Sequence, residues 1–204
     1  MGWERKRGKL EEFNKLLTSG ENTHFSLQVG DLSALSKIRY IITIDSDTIL
    51  PREAARRLIG TLAHPLNRAV FPSGSNEVIA GYTVLQPRLQ ARPVVANQSI
   101  FTRIYSGDTA IDLYSRAVSD IYQDLFQEGN YVGKGIYDVA AFERSTRNRA
   151  PENTILSHDL FEGLSGRAGL VRTLSFSRII PPTIWHMPIG CIAGFAVTGS
   201  FCPG

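Results

Sequence analysis

Ile38-Arg39-Tyr40-Ile41-Ile42-Thr43-Ile44-Asp45-Ser46-Asp47-Thr48 is the stretch on which the reading of this chain turns. From Tyr40 to Ile44 the run is almost unbroken in its apolar, β-branched character. Polar residues do not alternate with apolar ones, so the pattern predicts a strand buried on both faces, as in a parallel α/β sheet. The strand runs straight into two aspartates. Pro51 then opens an Ala- and Arg-rich segment, Arg52 to Leu62, that reads as a helix with proline in its first turn. Ligands of such sheets lie beyond the carboxyl ends of the strands, where Asp45 and Asp47 fall. Two carboxylates there are costly unless something positive binds them. A divalent cation carrying a phosphorylated substrate is the natural candidate.

The 204 residues suffice for one ordinary domain, and a hydrophobic fraction of 43% supplies its core. The net charge is +3, much of it from Arg5, Lys6, Arg7 and Lys9. That cluster reads either as a solvated helix start or as a phosphate-facing patch. No basic stripe interleaved with aromatics follows it, which argues against a nucleic-acid partner. Cys191 and Cys202 lie far from any His/Cys ligand pair, so they predict no zinc site. They suggest a reducing compartment without a disulfide framework. The charged N-terminus does not read as a signal peptide.

Along the chain, Leu10, Phe13, Leu16 and Leu17 recur at helical spacing and predict an amphipathic helix over residues 4–17. His24 to Val29 reads as a short strand, with no role for His24, and Asp31 to Lys37 as a connector or short helix. Tyr82 to Gln86 reads as a strand stopped by Pro87. Thr109 to Phe126 reads as a helix, on which Asp120 and Asp124 lie one turn apart; such a pair could bind metal, but a solvated face is the plainer account. Tyr131 to Tyr137 reads as a strand broken by glycines, and Asp138 as the cap of a helix reaching about Arg144. Pro151-Glu152-Asn153 reads as a turn, and Ser157-His158-Asp159 opens a short helix. Residues 179–204 carry no charge and three early prolines, Pro181, Pro182 and Pro188. The short apolar runs there make a poor membrane span.

An ordered set of segments carries a close resemblance to a known family. These are Gly2 to Leu10, Arg39 to Asn67 with the Asp45-Ser46-Asp47 DxD, Leu85-Gln86-Pro87-Arg88, Ala117 to Phe126, Gly133-Lys134-Gly135-Ile136-Tyr137-Asp138 and Leu156-Ser157-His158-Asp159-Leu160. Together they resemble the GT-A glycosyltransferase domain (family 84-like) of the cyclic β-1,2-glucan synthases, as far as about Val171. The resemblance implies an α/β fold: a GT-A, Rossmann-like mixed sheet flanked by helices. The partial domain would be residues 1–178, followed by the uncharged tail 179–204. It implies an inverting glycosyltransferase that moves glucose from UDP-glucose to a growing β-1,2-glucan acceptor. It further implies a larger membrane-anchored synthase, working on the cytoplasmic side of the bacterial inner membrane. The family's uracil-gripping strand is expected before Met1, and its Gln-x-x-Arg-Trp-like closing segment after Leu170. The chain therefore reads as the middle of a catalytic domain, with a truncated or frame-shifted end and no independent activity.

Transfer from a sugar nucleotide needs a neutralised diphosphate, a deprotonated acceptor hydroxyl and in-line positioning. In GT-A enzymes the second aspartate of the DxD binds Mg²⁺ or Mn²⁺, and the first leans toward ribose or metal. By resemblance those are Asp47 and Asp45; the bland alternative is that one of them caps the following helix. Asp159 resembles the base of inverting synthases, and a helix N-terminus favours its ionised form. Plain helix capping is its alternative. Gly133, Lys134 and Gly135 fall on the strand that the family sets against the acceptor; on its own the pattern also fits a bulge. Arg7 and Lys9 resemble a helix start that lies near the nucleotide in processive synthases, so Arg7, Lys9 and Asp45 form the expected donor set.

Two rival readings remain at this level. Asp45-Ser46-Asp47-Thr48 also fits the DxDxT of haloacid-dehalogenase-type phosphatases, with Asp45 as nucleophile and Asp47 as acid/base. That fold needs a downstream lysine, for which Lys134 is the one residue after Lys37, and an adjacent acidic pair, which does not follow. The other rival is an inactive remnant or binding module that keeps the fold and does not turn over.

Overall fold

A computed structural model describes residues 5–20, 25, 32–45, 47–91, 121–147, 149, 158–178 and 192–198. The described strands form one mixed sheet in the order β2-β5-β3-β4-β1-β6. Its members are β1 (Ile38–Asp45), β2 (Thr48–Ile49), β3 (Val84–Ala91), β4 (Gly135–Asp138), β5 (Ala168–Arg178) and β6 (Ile192–Thr198). The helices are α1 (Arg5–Ser19), α2 (Ala54–Ala63), α3 (Ile121–Phe126), α4 (Val139–Thr146) and α5 (His158–Gly166). A helix-flanked mixed sheet agrees with the expected partial Rossmann-like domain.

β1 is buried from Tyr40 to Ile44, as its sequence demands. Its alternate side chains feed two cores. Tyr40, Ile42 and Ile44 pack with Ala54, Leu58, Ile59 and Leu62 of α2, together with Leu85, Ile136 and Phe176. On the other face Ile41 joins Leu17 of α1, Phe142 of α4, Val84, Tyr131 and Tyr137. There the Tyr137 hydroxyl donates to Asn14 Oδ1 at 3.0 Å, which satisfies two polar groups inside that layer. The expectation of a parallel neighbourhood is corrected, because both partners of β1, β4 and β6, run antiparallel to it. Burial on both faces comes from helices on both sides of the sheet, which does not require parallel neighbours. The parallel pair is β3 with β5.

Boundaries also differ. The strand read over Tyr131 to Tyr137 begins only at Gly135, as β4, and the residues before it form a bend. Pro87 does not end its strand. β3 continues through it to Ala91, with the register against β5 shifting between Pro87 and Arg88. A bulge is one of the places where a strand accepts a residue without an N–H. Pro51 does not open α2 either. Its carbonyl accepts the Ala54 N–H at 3.1 Å, Glu53 takes φ 63°, and the helix begins only after that turn. Asp138 caps α4 as expected, its Oδ1 accepting the Ala141 N–H at 3.1 Å. β6 comes from the uncharged tail and pairs along the whole of β1.

Expectations that lie wholly or partly outside the described residues include the strand over His24 to Val29 apart from Phe25, the helix over Thr109 to Phe126 ahead of α3, the turn at Pro151 and the tail 179–204 apart from β6. Among the described residues no helix is long and apolar enough to cross a membrane.

Candidate active site

The carboxyl end of β1 and the start of β4 meet at one edge of the molecule. Their last paired residues there are Thr43 and Gly135. Beyond that pair the ladder opens; Lys134 is one residue before Gly135 and Asp45 two residues after Thr43. Lys134 Nζ lies 2.8 Å from Asp45 Oδ2, with Lys134's side chain 11% exposed and Asp45's 32%. Gly133, the preceding residue, takes φ +75°. The Asp159 carboxylate packs directly over it: a β-carbon on Gly133 would stand 2.6 and 2.8 Å from the two Asp159 oxygens. Asp159 is in the first turn of α5. Two consecutive residues, their Cα atoms about 3.8 Å apart, thus touch the expected base on one side and the first aspartate of the DxD on the other.

The backbone that carries this pair is held from several sides. Gln86 is buried on β3, and its Oε1 accepts the Val132 N–H at 3.1 Å. Gly135 passes so close to the Leu85 carbonyl that no side chain would fit. The buried hydroxyls of Tyr131 and Thr43 share a hydrogen bond of 3.3 Å, tying the loop to the β1 residue two before Asp45. Burial pushes the Tyr131 phenol well above its ordinary range, and the charge of Glu162 adds to this. Tyr131 is therefore a neutral fixture. Glu162 lies one turn beyond Asp159 on α5 and is buried. Gln86, Tyr131 and Glu162 drew no role from the sequence. Gln86 sits in a segment that carries the family resemblance, and this was the one available signal.

Asp47 lies just past β1, where its Oδ1 accepts the Thr48 hydroxyl at 3.3 Å. Neither aspartate of the DxD caps α2, whose N-cap position is Glu53. The capping alternative for that pair is thereby removed. Lys9 is exposed on α1, and the described contacts do not bring it to the Asp45 group. Arg7 belongs to the same helix, but its side chain lies outside the described residues. Asp124 pairs with Arg172 of β5 at 3.1 Å, so it serves to dock α3. Asp120 is outside the described residues. Among those described, no cluster of three or more His, Cys, Asp or Glu side chains suited to a metal ion is found. Magnesium commonly binds through one or two carboxylates and draws its other ligands from phosphate and water, so Asp45 and Asp47 are the residues that could hold it without a larger cluster.

No protein-family model matches the chain. The chain is 44% identical over 182 residues to the cyclic beta-(1,2)-glucan synthase NdvB of Rhizobium meliloti (strain 1021). The match takes in 89% of this chain and 6% of that protein, so the chain spans only a short part of its relative's length. An overlap that nearly fills the chain, at that identity, makes it a homologue of one segment of cyclic β-(1,2)-glucan synthase.

Proposed function

We propose that this chain forms part of an inverting glycosyltransferase that moves glucose from UDP-glucose to a growing β-1,2-glucan. The observation that carries the reading is the convergence of Asp45, Lys134, Gly133 and Asp159 at the open end of β1 and β4, in a homologue of a glucan synthase. Asp47, with Asp45, would hold Mg²⁺ or Mn²⁺. Such a cation supplies charge neutralisation for the leaving diphosphate. Asp159, in the first turn of α5, takes the proton of the acceptor hydroxyl. Gly133, which lacks a side chain, lets the Asp159 carboxylate sit flush on the bend ahead of β4, on the side assigned to the acceptor. Arg7 and Lys9 on α1 are proposed donor-side cations.

Nucleotide sugars are made in the cytoplasm, so the Asp45 edge is assigned to the cytoplasmic face of a larger membrane-anchored synthase. Protection of this edge from protease in intact spheroplasts, and its cleavage after lysis, tests that assignment. The reaction itself is tested by Mn²⁺-dependent incorporation of labelled glucose from UDP-glucose into β-1,2-linked product. Binding of UDP-glucose without incorporation would instead fit the remnant reading. One observation favours the phosphatase rival: Lys134 does reach Asp45. Against it stand the antiparallel neighbours of β1 and the similarity to a glucan synthase. A phosphoenzyme trapped on Asp45 would reverse that judgement.

A further inference from the structure

Lys134 is an unusual lysine. It is only 9% exposed, yet it carries a charge. Taking an ammonium out of water is costly unless an opposite charge meets it, and the Asp45 carboxylate does so at 2.8 Å. Its position is also dictated by the backbone. Gly133 on one side has φ +75°, Gly135 on the other is wedged against Leu85, and the Val132 N–H is fixed by Gln86. The ammonium is delivered to Asp45 by a built loop.

This creates a conflict at the DxD. A divalent cation drawing on Asp45 would share that carboxylate with an ammonium already in contact with it. Two like charges at such range repel, and more strongly in a partly buried site. A nucleotide diphosphate relieves the conflict, because its oxygens offer the ammonium a second anion. We propose that Lys134 is an internal counter-cation that competes with the divalent cation for Asp45 and yields it when a diphosphate arrives. Lys134 is then a positioning residue that makes cation and nucleotide bind as a coupled pair. This rests on the metal-assisted transfer reading above and adds to it an order of events.

Mn²⁺ binding tests it, read by the electron paramagnetic resonance of free Mn²⁺ and by calorimetry, on the intact synthase with UDP and no sugar donor, and so without any turnover. For the wild-type chain, UDP should tighten Mn²⁺ binding by a factor on the order of 5 to 150, the usual span for coupled sites. Lys134→Met should bind bare Mn²⁺ more tightly than wild type and lose most of that coupling. Lys134→Arg should keep the wild-type pattern, and Asp45→Asn placed on Lys134→Met should cancel the gain. Equal Mn²⁺ affinity with and without UDP in the wild-type chain overturns the proposal, whether or not the variants fold. So does weaker bare Mn²⁺ binding in a folded Lys134→Met, which would mean the lysine helps the metal. In both cases the transfer reading survives. Failure of every form to bind Mn²⁺, with or without UDP, removes the proposal and the metal-assisted reading together.

Discussion

Both carboxylate oxygens of Asp159 stand in the space that a β-carbon on Gly133 would need, at a backbone position whose φ of +75° already favours glycine. Gly133→Ala therefore meets two penalties. The left-handed conformation costs about 1–2 kcal/mol for an L side chain. The new methyl also displaces a carboxylate at the tip of a side chain that can move. The protein should fold with a lowered melting temperature while transfer falls sharply, because the proposed base is pushed off its place. Gly135→Ala is the contrasting case. It meets the Leu85 carbonyl, a backbone group held in the ladder between β3 and β4, and should fail to give a cooperative melt. Full transfer activity in Gly133→Ala would show that the contact with Asp159 has no part in catalysis.

Asp47→Ala removes the second carboxylate of the DxD. Asp47 accepts a bond from the neighbouring Thr48 hydroxyl and belongs to neither hydrophobic core, so its loss leaves no cavity. The melting temperature should therefore change little. In the intact synthase, Mn²⁺-dependent glucosyl transfer should be abolished, since the carboxylate is proposed to hold charge and not to pack. Undiminished turnover at saturating Mn²⁺ would take Asp47 out of the site.

Glu143 offers a test by pH. Its carboxyl is pushed above its ordinary value of 4.5, first by burial and then by the charge of Glu11, while Arg147 and Lys15 pull it back. Glu143 also lines a small cavity with Glu11, Lys15, Arg147 and Glu162. A raised carboxyl pKa means the folded state holds a proton more readily than the unfolded chain. The stability linked to it is fully present below pH 4.5 and is lost as pH rises through the raised value. Glu143→Gln should thus raise the melting temperature at pH 7, by no more than about 2 °C for a half-buried group in a chain of this size. The advantage should vanish below the ordinary carboxylate range. A variant less stable than wild type at pH 7 would mean that the ion pair with Arg147 outweighs burial.

Much of this architecture is local and therefore readable in sequence. The apolar run from Tyr40 to Ile44 forces a doubly buried strand, and Asp138 ahead of an apolar segment caps a helix. What escapes is set by partners far away in the chain. Nothing in the β1 stretch encodes the direction of β4 and β6, so its parallel reading failed. Pro87 stays within its strand because a bulge against β5 spares its missing N–H, and β5 begins only at Ala168, far along the sequence. The glycines of Gly133-Lys134-Gly135 were legible as a break, but their causes are Asp159 on one and Leu85 on the other. The contact between Lys134 and Asp45 has no local signature at all.

Asp159→Asn decides between base and cap. The substitution keeps size and much of the hydrogen bonding but removes the power to accept a proton. In the intact synthase it should leave UDP-glucose affinity nearly unchanged and cut turnover by a factor on the order of 10² to 10⁴, the range for a positioned acid/base group. A loss confined to turnover marks an interaction made in the transition state. If Asp159 only stabilises the first turn of α5, the same change costs about 1 kcal/mol or less and spares turnover. The packing over Gly133 sharpens the distinction. Asparagine occupies almost the same volume as aspartate, so the contact survives in Asp159→Asn and is strained in Gly133→Ala. A base role predicts that both variants lose turnover and that only the glycine variant loses appreciable stability. A structural role predicts a stability loss in both and a turnover loss in neither, so kinetics and melting curves for the two variants side by side settle the assignment.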